Sequence, residues 1–350
     1  MSEEKGGRHV TDIFSSLYGN LATKKRLGKA IAAGTLAHAF LIDGPAGSGK
    51  LTLALSISAA LNCERRSDKN STLPCGTCIN CRRIFDKNFA DVHIIGKPED
   101  KATFGVEDVR LFRSDVYLSP TESECKVYII KDAETLTVAA QNALLILLEE
   151  PPRNVYILLL SNGTDKILTT IKSRAQYIPM ERFSREDILK YLKKSSSSDF
   201  SDEATLLEIA SASGGIIGRA EELLDPKARA EIEAERALTS SIVEALGKGA
   251  PFSKTVAAIK DMPQKRSELT EALERLTDAV RDMLLAKDEA KFEPLYFRSR
   301  EAAKDAAAGF SKKRLLEIYD AVSEAISANE QNANIAALLS AFAVKVGRKE

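Results

Sequence analysis

Short apolar runs recur through the first half of the chain: Ala39-Phe40-Leu41-Ile42, Val92-His93-Ile94-Ile95, Val127-Tyr128-Ile129-Ile130 and Val155 to Leu160. Each lies between helical or turn-rich stretches, the pattern of strands buried on both faces of a parallel α/β sheet. Beyond Phe183 the strands cease and amphipathic helices follow. The first opens at Ser184-Arg185-Glu186-Asp187, whose spacing predicts a capping-box start. A turn over Ser195 to Ser198 precedes a second helical pattern at residues 206–215, and a third opens at Gly218-Arg219. From residue 226 the text is rich in Ala, Glu, Lys and Leu with few breakers, which predicts a separate helical bundle. The expected plan is a polar tail at 1–10, an α/β domain at 11–182, a small helical domain at 183–225 and a helical domain at 226–350.

Composition narrows the class without choosing a function. With 350 residues and 44% hydrophobic content, each domain has material for a core. Lys plus Arg equals Asp plus Glu at 50 each, so net charge argues for neither nucleic acid nor membrane as a partner. No apolar run approaches the roughly 18 residues of a membrane span, and the polar N-terminus is unlike a signal peptide. A cytoplasmic protein with no membrane contact is expected. Of five cysteines, four are clustered, which in a reducing compartment points to metal rather than disulfides.

Gly44-Pro45-Ala46-Gly47-Ser48-Gly49-Lys50-Leu51 follows the first apolar run and opens a helical one. Gly44, Gly47 and Gly49 permit a tight turn whose N–H groups cradle phosphates, and Lys50 reaches the terminal ones, so ATP or ADP is the expected ligand. The residue that holds magnesium through a hydroxyl is here Leu51. Thr52 is a poor replacement, because one helical step rotates a side chain by about 100°. The third apolar run ends in Lys131, where a nucleotide hydrolase carries a magnesium-binding acid. Asp132 faces the opposite side of a regular strand and needs a bulge to serve. Magnesium binding is therefore expected to be defective.

Cys63, Cys75, Cys78 and Cys81 form a C-x11-C-x2-C-x2-C pattern at 63–81. Four thiolates close a tetrahedral shell around Zn2+ with no position open to substrate, so the role expected is structural. Cys125 and His93 read as packing residues. Arg65, Arg66, Lys69, Arg82 and Arg83 around the knuckle read as a solvated charged face. Leu144, Leu145, Leu147 and Leu148 predict a buried helix face that Pro151-Pro152 terminates.

Phosphate loop and knuckle occur in this order together with Tyr18-Gly19-Asn20, residues 106–112 (VEDVRLF), 126–130 (KVYII), 142–152 (NALLILLEEPP) and 171–176 (IKSRAQ). In these motifs the chain resembles the bacterial clamp-loader subunits, AAA+ proteins of the DNA polymerase III holoenzyme. The resemblance implies an AAA+ P-loop module with a zinc knuckle, a helical lid and an all-α C-terminal collar for oligomerisation. It further implies a hetero-pentamer with gamma or tau and delta subunits that loads the sliding clamp onto primer-template DNA. Motor subunits of the family carry a complete phosphate loop and an Asp-Glu pair after KVYII, whereas delta-prime subunits often lack them and retain a Ser-Arg-Cys motif. With Leu51, Lys131 and Ser173-Arg174-Ala175, the pattern is similar to delta-prime. The resemblance then implies that Arg174, beside Ser173, is an arginine finger acting in trans on a neighbouring ATPase subunit, and that Arg219 occupies the sensor-2 position of the nucleotide site. Two alternatives stand beside this reading: a gamma/tau-type motor that hydrolyses ATP itself through Thr52 and Asp132, and a zinc-containing DNA-binding repair protein.

Overall fold

The computed structural model describes Phe14, residues 17–66, Asp68, and residues 73–97, 103–195, 203–247, 249–288, 292 and 294–347. The tail at 1–10, Lys69 and the turn at 196–198 lie outside them. The chain divides into two compact units, one of Met1–Phe183 with Ile216–Gly218, the other of Ser184–Gly215 with Arg219–Glu350.

The first unit is built on five parallel strands: β1 (Ala39–Asp43), β2 (Val92–Ile95), β3 (Lys126–Ile130), β4 (Val155–Ser161) and β5 (Gln176–Pro179). Their order across the sheet is β2-β3-β4-β1-β5, with Leu41 level with Leu159 and Ile129 level with Leu158. Phe40, Ile42, Val127, Ile129, Leu158 and Leu160 bury one face with α1 (Leu21–Ala33) and α2 (Lys50–Leu61). Leu41, Tyr128, Ile130, Ile157 and Leu159 bury the other with α4 (Val106–Val116), α5 (Val138–Glu149) and α6 (Thr169–Lys172). Burial on both faces is why these strands read as unbroken apolar runs. The fifth strand has no such run: only Ile178 is fully buried along Gln176–Pro179, as befits a sheet edge. A short α3 (Ile79–Phe85) completes the unit.

A buried network and a ring stack hold the β2–β3 side. Asp91 has no exposed surface and accepts from Thr121 N–H (2.7 Å), Glu122 N–H (2.9 Å) and the Ser123 hydroxyl (2.8 Å). His93 stacks on Tyr128 with ring centroids 4.8 Å apart, a packing role. In α5, Leu144, Leu147 and Leu148 are buried and Leu145 half-buried, and the helix ends before the two prolines.

The second unit is all helical. It comprises α7 (Arg185–Ser195), α8 (Glu203–Ala212), all but the first turn of α9 (Ile217–Glu222), α10 (Pro226–Leu246), α11 (Phe252–Lys260), α12 (Arg266–Lys287), α13 (Arg300–Ala307), α14 (Lys312–Glu330) and α15 (Ile335–Gly347). Helix α7 starts as its spacing predicts: Ser184 Oγ accepts from Asp187 N–H at 3.1 Å and donates to the Asp187 carboxylate at 2.7 Å. Asp225 caps α10 ahead of Pro226, a residue suited to a helix's first turn. Leu269, Leu273, Leu276 and Val280 run down one face of α12 into a core shared with Leu315, Ile318 and Val322 of α14. Full burial of each such side chain is worth about 2 kcal/mol. No helix among the described residues is long and apolar enough to cross a membrane.

Candidate nucleotide, metal and arginine sites

The glycine-rich loop joins the carboxyl end of β1 to α2, where parallel strands present their ligand-binding edge. Gly47 and Gly49 have φ of 77° and 88°, the left-handed region that favours glycine. Gly44 N–H donates to Ser161 O of β4 (3.1 Å), fixing the loop to the sheet. Gly218 N–H donates to Gly47 O at 3.0 Å, and a Cβ at 218 would lie 2.7 Å from that oxygen. Gly218 is thus part of the loop's support, though nothing near it in sequence signals this. Leu51 packs against the core beneath the loop, and Thr52 is half-buried in the first turn of α2.

The Lys50 ammonium donates to Gly44 O (2.6 Å), Pro45 O (2.8 Å) and Asn162 Oδ1 (2.8 Å). Asn162 Nδ2 in turn donates to Glu134 Oε1 at 2.6 Å, and the other Glu134 oxygen accepts from Ser161 Oγ at 3.2 Å. Burial lowers the Lys50 pKa, while Glu134, then Asp43, then Asp132 work against that shift. Asp132 therefore has a different placement from that of a regular strand residue. Strand β3 stops at Ile130, and Asp132 enters a left-handed turn (φ 52°) that leads into a 3-10 turn over Ala133–Thr135. From this turn the Asp132 charge acts on Lys50, after those of Glu134 and Asp43. Lys131 is exposed at the strand end. Glu134, Asp43 and Asn162 escaped the sequence reading, although a polar residue directly after a buried parallel strand, as Asn162 is after β4, was a usable signal.

The four cysteines come together. Their Sγ atoms all lie within 4.8 Å of one another, and Cys75 and Cys81 are 3.9 Å apart. A tetrahedron with Zn–S of about 2.3 Å has S···S edges of roughly 3.8 Å, so the donor set fits Zn2+ in chemistry and size. Cys78 caps α3, its Sγ accepting from Cys81 N–H (3.4 Å), and Cys75 Sγ accepts from Cys78 N–H (3.4 Å). Burial raises the Cys75 thiol, but the N–H groups of Cys78 and Thr77 and the Thr77 hydroxyl outweigh it and hold the pKa at about 6. Burial pushes the Cys63 and Cys81 thiols up. Two of the surrounding arginines are engaged internally. Arg83 pairs with Glu122 at 2.6 Å and lies over Phe89, and Arg66 donates to Leu61 O (2.9 Å) and to the buried Cys125 (3.3 Å).

Ser173 and Arg174 follow α6 and are exposed. Arg174 Nη1 donates to Thr170 O (3.0 Å) and Ser173 Oγ (3.3 Å), while Nη2 pairs with Glu149 at 2.8 Å. Glu149 ends α5, where a carboxylate opposes the helix dipole. A partner cation compensates there, and the pair holds the Arg174 guanidinium against the end of α5. Arg219 lies early in α9, in the second unit, where burial and Arg275 weaken its hold on its proton while Glu235, Asp278 and Glu222 strengthen it.

Residues 19–184 match the family model described as "DNA polymerase III, delta subunit". Among relatives, a DNA polymerase III subunit gamma from Buchnera aphidicola (strain APS) is 34% identical over 215 residues, 61% of this chain and 58% of the relative. The DNA polymerase III subunit gamma of Buchnera aphidicola (strain Sg) is 32% identical over 55% of this chain and 52% of the relative. The DNA polymerase III subunit tau of Bacillus subtilis is 29% identical over 78% of this chain and 50% of the relative. The chain thus spans between half and three-fifths of the length of these relatives.

Proposed function

The module at residues 19–184 belongs to the bacterial clamp-loader AAA+ family, and from that premise we propose that the chain is a delta-prime-like subunit of the DNA polymerase III clamp loader. In this reading it joins gamma or tau and delta subunits in a ring that loads the sliding clamp onto primed DNA. Residues 11–182 are the AAA+ domain, 183–225 the lid and 226–350 the collar. The chain hydrolyses no ATP of its own, and Arg174 reaches a neighbour's ATP, where a guanidinium stabilises charge on the transferring phosphoryl group.

One observation supports the proposal: Leu and Lys stand at positions 51 and 131, where motor subunits bind magnesium, while an arginine is present at 174, the proposed finger. Leu51 packs on the core, Lys131 ends β3, and Arg174 is exposed and held in place by Glu149. Gly44, Gly47, Gly49 and Lys50 can still hold a nucleotide's phosphates. Cys63, Cys75, Cys78 and Cys81 hold Zn2+, whose part is to tie α3 to the end of α2.

The gamma-type motor is the second reading. The names of the relatives favour it, as do Asp132, Asp43 and Glu134 around Lys50. ATP turnover separates the two, measured on the chain alone and then with its cognate motor subunit, delta, clamp and primed DNA. Silence alone, activity in the mixture and loss with Arg174→Ala support delta-prime. Turnover by the chain alone that Lys50→Ala abolishes means a motor.

A further inference from the structure

The helical unit contains a half-open cavity of about 410 Å³, all of whose lining residues belong to that unit. This volume falls within the roughly 300–1,000 Å³ of small-molecule sites. One wall is the segment carrying Tyr296 and Phe297, and it is held rigidly. Asp282, whose side chain is fully buried, accepts from Leu295 N–H (2.9 Å), Tyr296 N–H (2.8 Å) and Phe297 N–H (3.3 Å). The Tyr296 hydroxyl donates to Arg236 O at 3.0 Å and lies 2.8 Å from Ser240 Oγ. The aromatic wall is therefore preformed.

Arg229, Arg236 and Arg298 line the same cavity, Arg298 directly after the aromatic pair. Arg236 is half-buried, with its guanidinium 6.0 Å from the Tyr296 ring centre and one long hydrogen bond, to Tyr296 O at 3.4 Å. Glu208 and Glu233 also line the cavity, but both are exposed, and among the described residues no carboxylate lies within 4.0 Å of the three guanidiniums. Glu235 is engaged elsewhere, pairing with Arg275 at 3.0 Å. Burial, then the charges of Arg219 and Arg298, weaken Arg236's hold on its proton, while Tyr296 and Glu233 work against that shift. Guanidiniums that share one cavity repel one another, the exposed Glu208 and Glu233 offset this only in part, and an anion between the arginines relieves the rest.

We propose that this cavity binds a small organic phosphate, the anion held by Arg236, Arg298 and Arg229 and a flat apolar body laid against Tyr296 and Phe297. Guanidinium forks match phosphate oxygens two at a time, and a dianion answers several arginines better than a single carboxylate does. Aromatic side chains supply the contact for a planar body.

The test is calorimetric titration of the full chain with phenyl phosphate, adenosine monophosphate and inorganic phosphate, in a Lys50→Ala background that silences the phosphate loop. The expected result is one saturable site for the organic phosphates in the micromolar to low-millimolar range, with inorganic phosphate weaker. Arg236→Gln should lower affinity about tenfold or more, and without ligand should leave the melting temperature unchanged or raised, since it removes a repelled charge. Arg298→Ala, at the exposed rim, should weaken binding without disturbing the fold, so the idea stays testable if Arg236→Gln misfolds. A preference for adenosine monophosphate over phenyl phosphate identifies a nucleotide site, and equal binding a general organic-phosphate site. Absence of saturable binding, or binding unchanged in both arginine variants, overturns the proposal.

Discussion

Asp91 is the residue on which the β2–β3 side most depends, because one buried carboxylate satisfies three donors. Asp91→Asn turns an amide N–H2 toward groups that need an acceptor, and the loss should be about 2–3 kcal/mol by chemical denaturation. Burial alone pushes this carboxyl pKa up, but the N–H groups of Thr121 and Glu122 and the Ser123 hydroxyl bring it below the ordinary value. A depressed carboxyl stabilises the fold above its unfolded pKa of about 3.9, and that contribution is lost as pH falls through the lower folded value. Wild-type stability should therefore drop toward about pH 3 more steeply than that of Asp91→Asn; equal slopes would show that the carboxylate is not the titrating group. Gly218 is a second sensitive position. Gly218→Ala forces a methyl to 2.7 Å from Gly47 O, backbone against backbone, and should cost about 1–3 kcal/mol and loosen the phosphate loop to proteolysis.

Among the elements, the cysteine module is the most self-contained. Cys63 follows α2, Cys78 caps α3 and Cys81 is one turn further on, so a metal bound here would staple the end of α2 to α3. Chelation of the wild type and Cys78→Ser should each abolish zinc by elemental analysis and lower the melting temperature by a similar amount. Zinc-free wild type that melts normally would refute the staple. Legibility at this scale follows burial. Strands β1, β3 and β4 are apolar because both faces are covered, and the edge strand β2 keeps a run though only half-buried, whereas β5, with Tyr177 47% exposed and Ile178 its one fully buried residue, carries no run to detect. The helix stops at Pro151-Pro152 and the cap at Ser184 were readable because both act locally.

For the molecule in the proposed assembly, the Glu149–Arg174 pair is the feature to test. Both side chains are partly exposed, so the pair contributes little stability, within about 1 kcal/mol. Arg174→Ala and Glu149→Gln should accordingly leave the melting temperature near that of the wild type. In the reconstituted ring, Arg174→Ala should remove the turnover of the adjoining site, a finger being worth about 10³-fold or more there. Glu149→Gln should lower the same turnover less, and Glu149→Asp should restore part of it, as a positioning role requires. If Arg174→Ala matters and Glu149→Gln does not, Glu149 is only a surface ion pair; if neither matters, the finger itself is wrong.

The sequence by itself determined whatever lies within a few residues of chain: four apolar strands, the glycine-rich loop, the four-cysteine spacing, the helix punctuation and the family motifs. Local periodicity and backbone chemistry write these directly, one residue after another. Tertiary structure alone decided what converges from distant positions. Asp43, Glu134 and Asn162 meet Lys50 because parallel strands end at one edge of the sheet. Gly218 reaches Gly47, Glu149 finds Arg174, and Arg229, Arg236 and Arg298 share a cavity with Tyr296. Asp132 shows the same division within one residue: its identity was plain, but whether its charge faced Lys50 hung on a left-handed turn that periodicity does not encode.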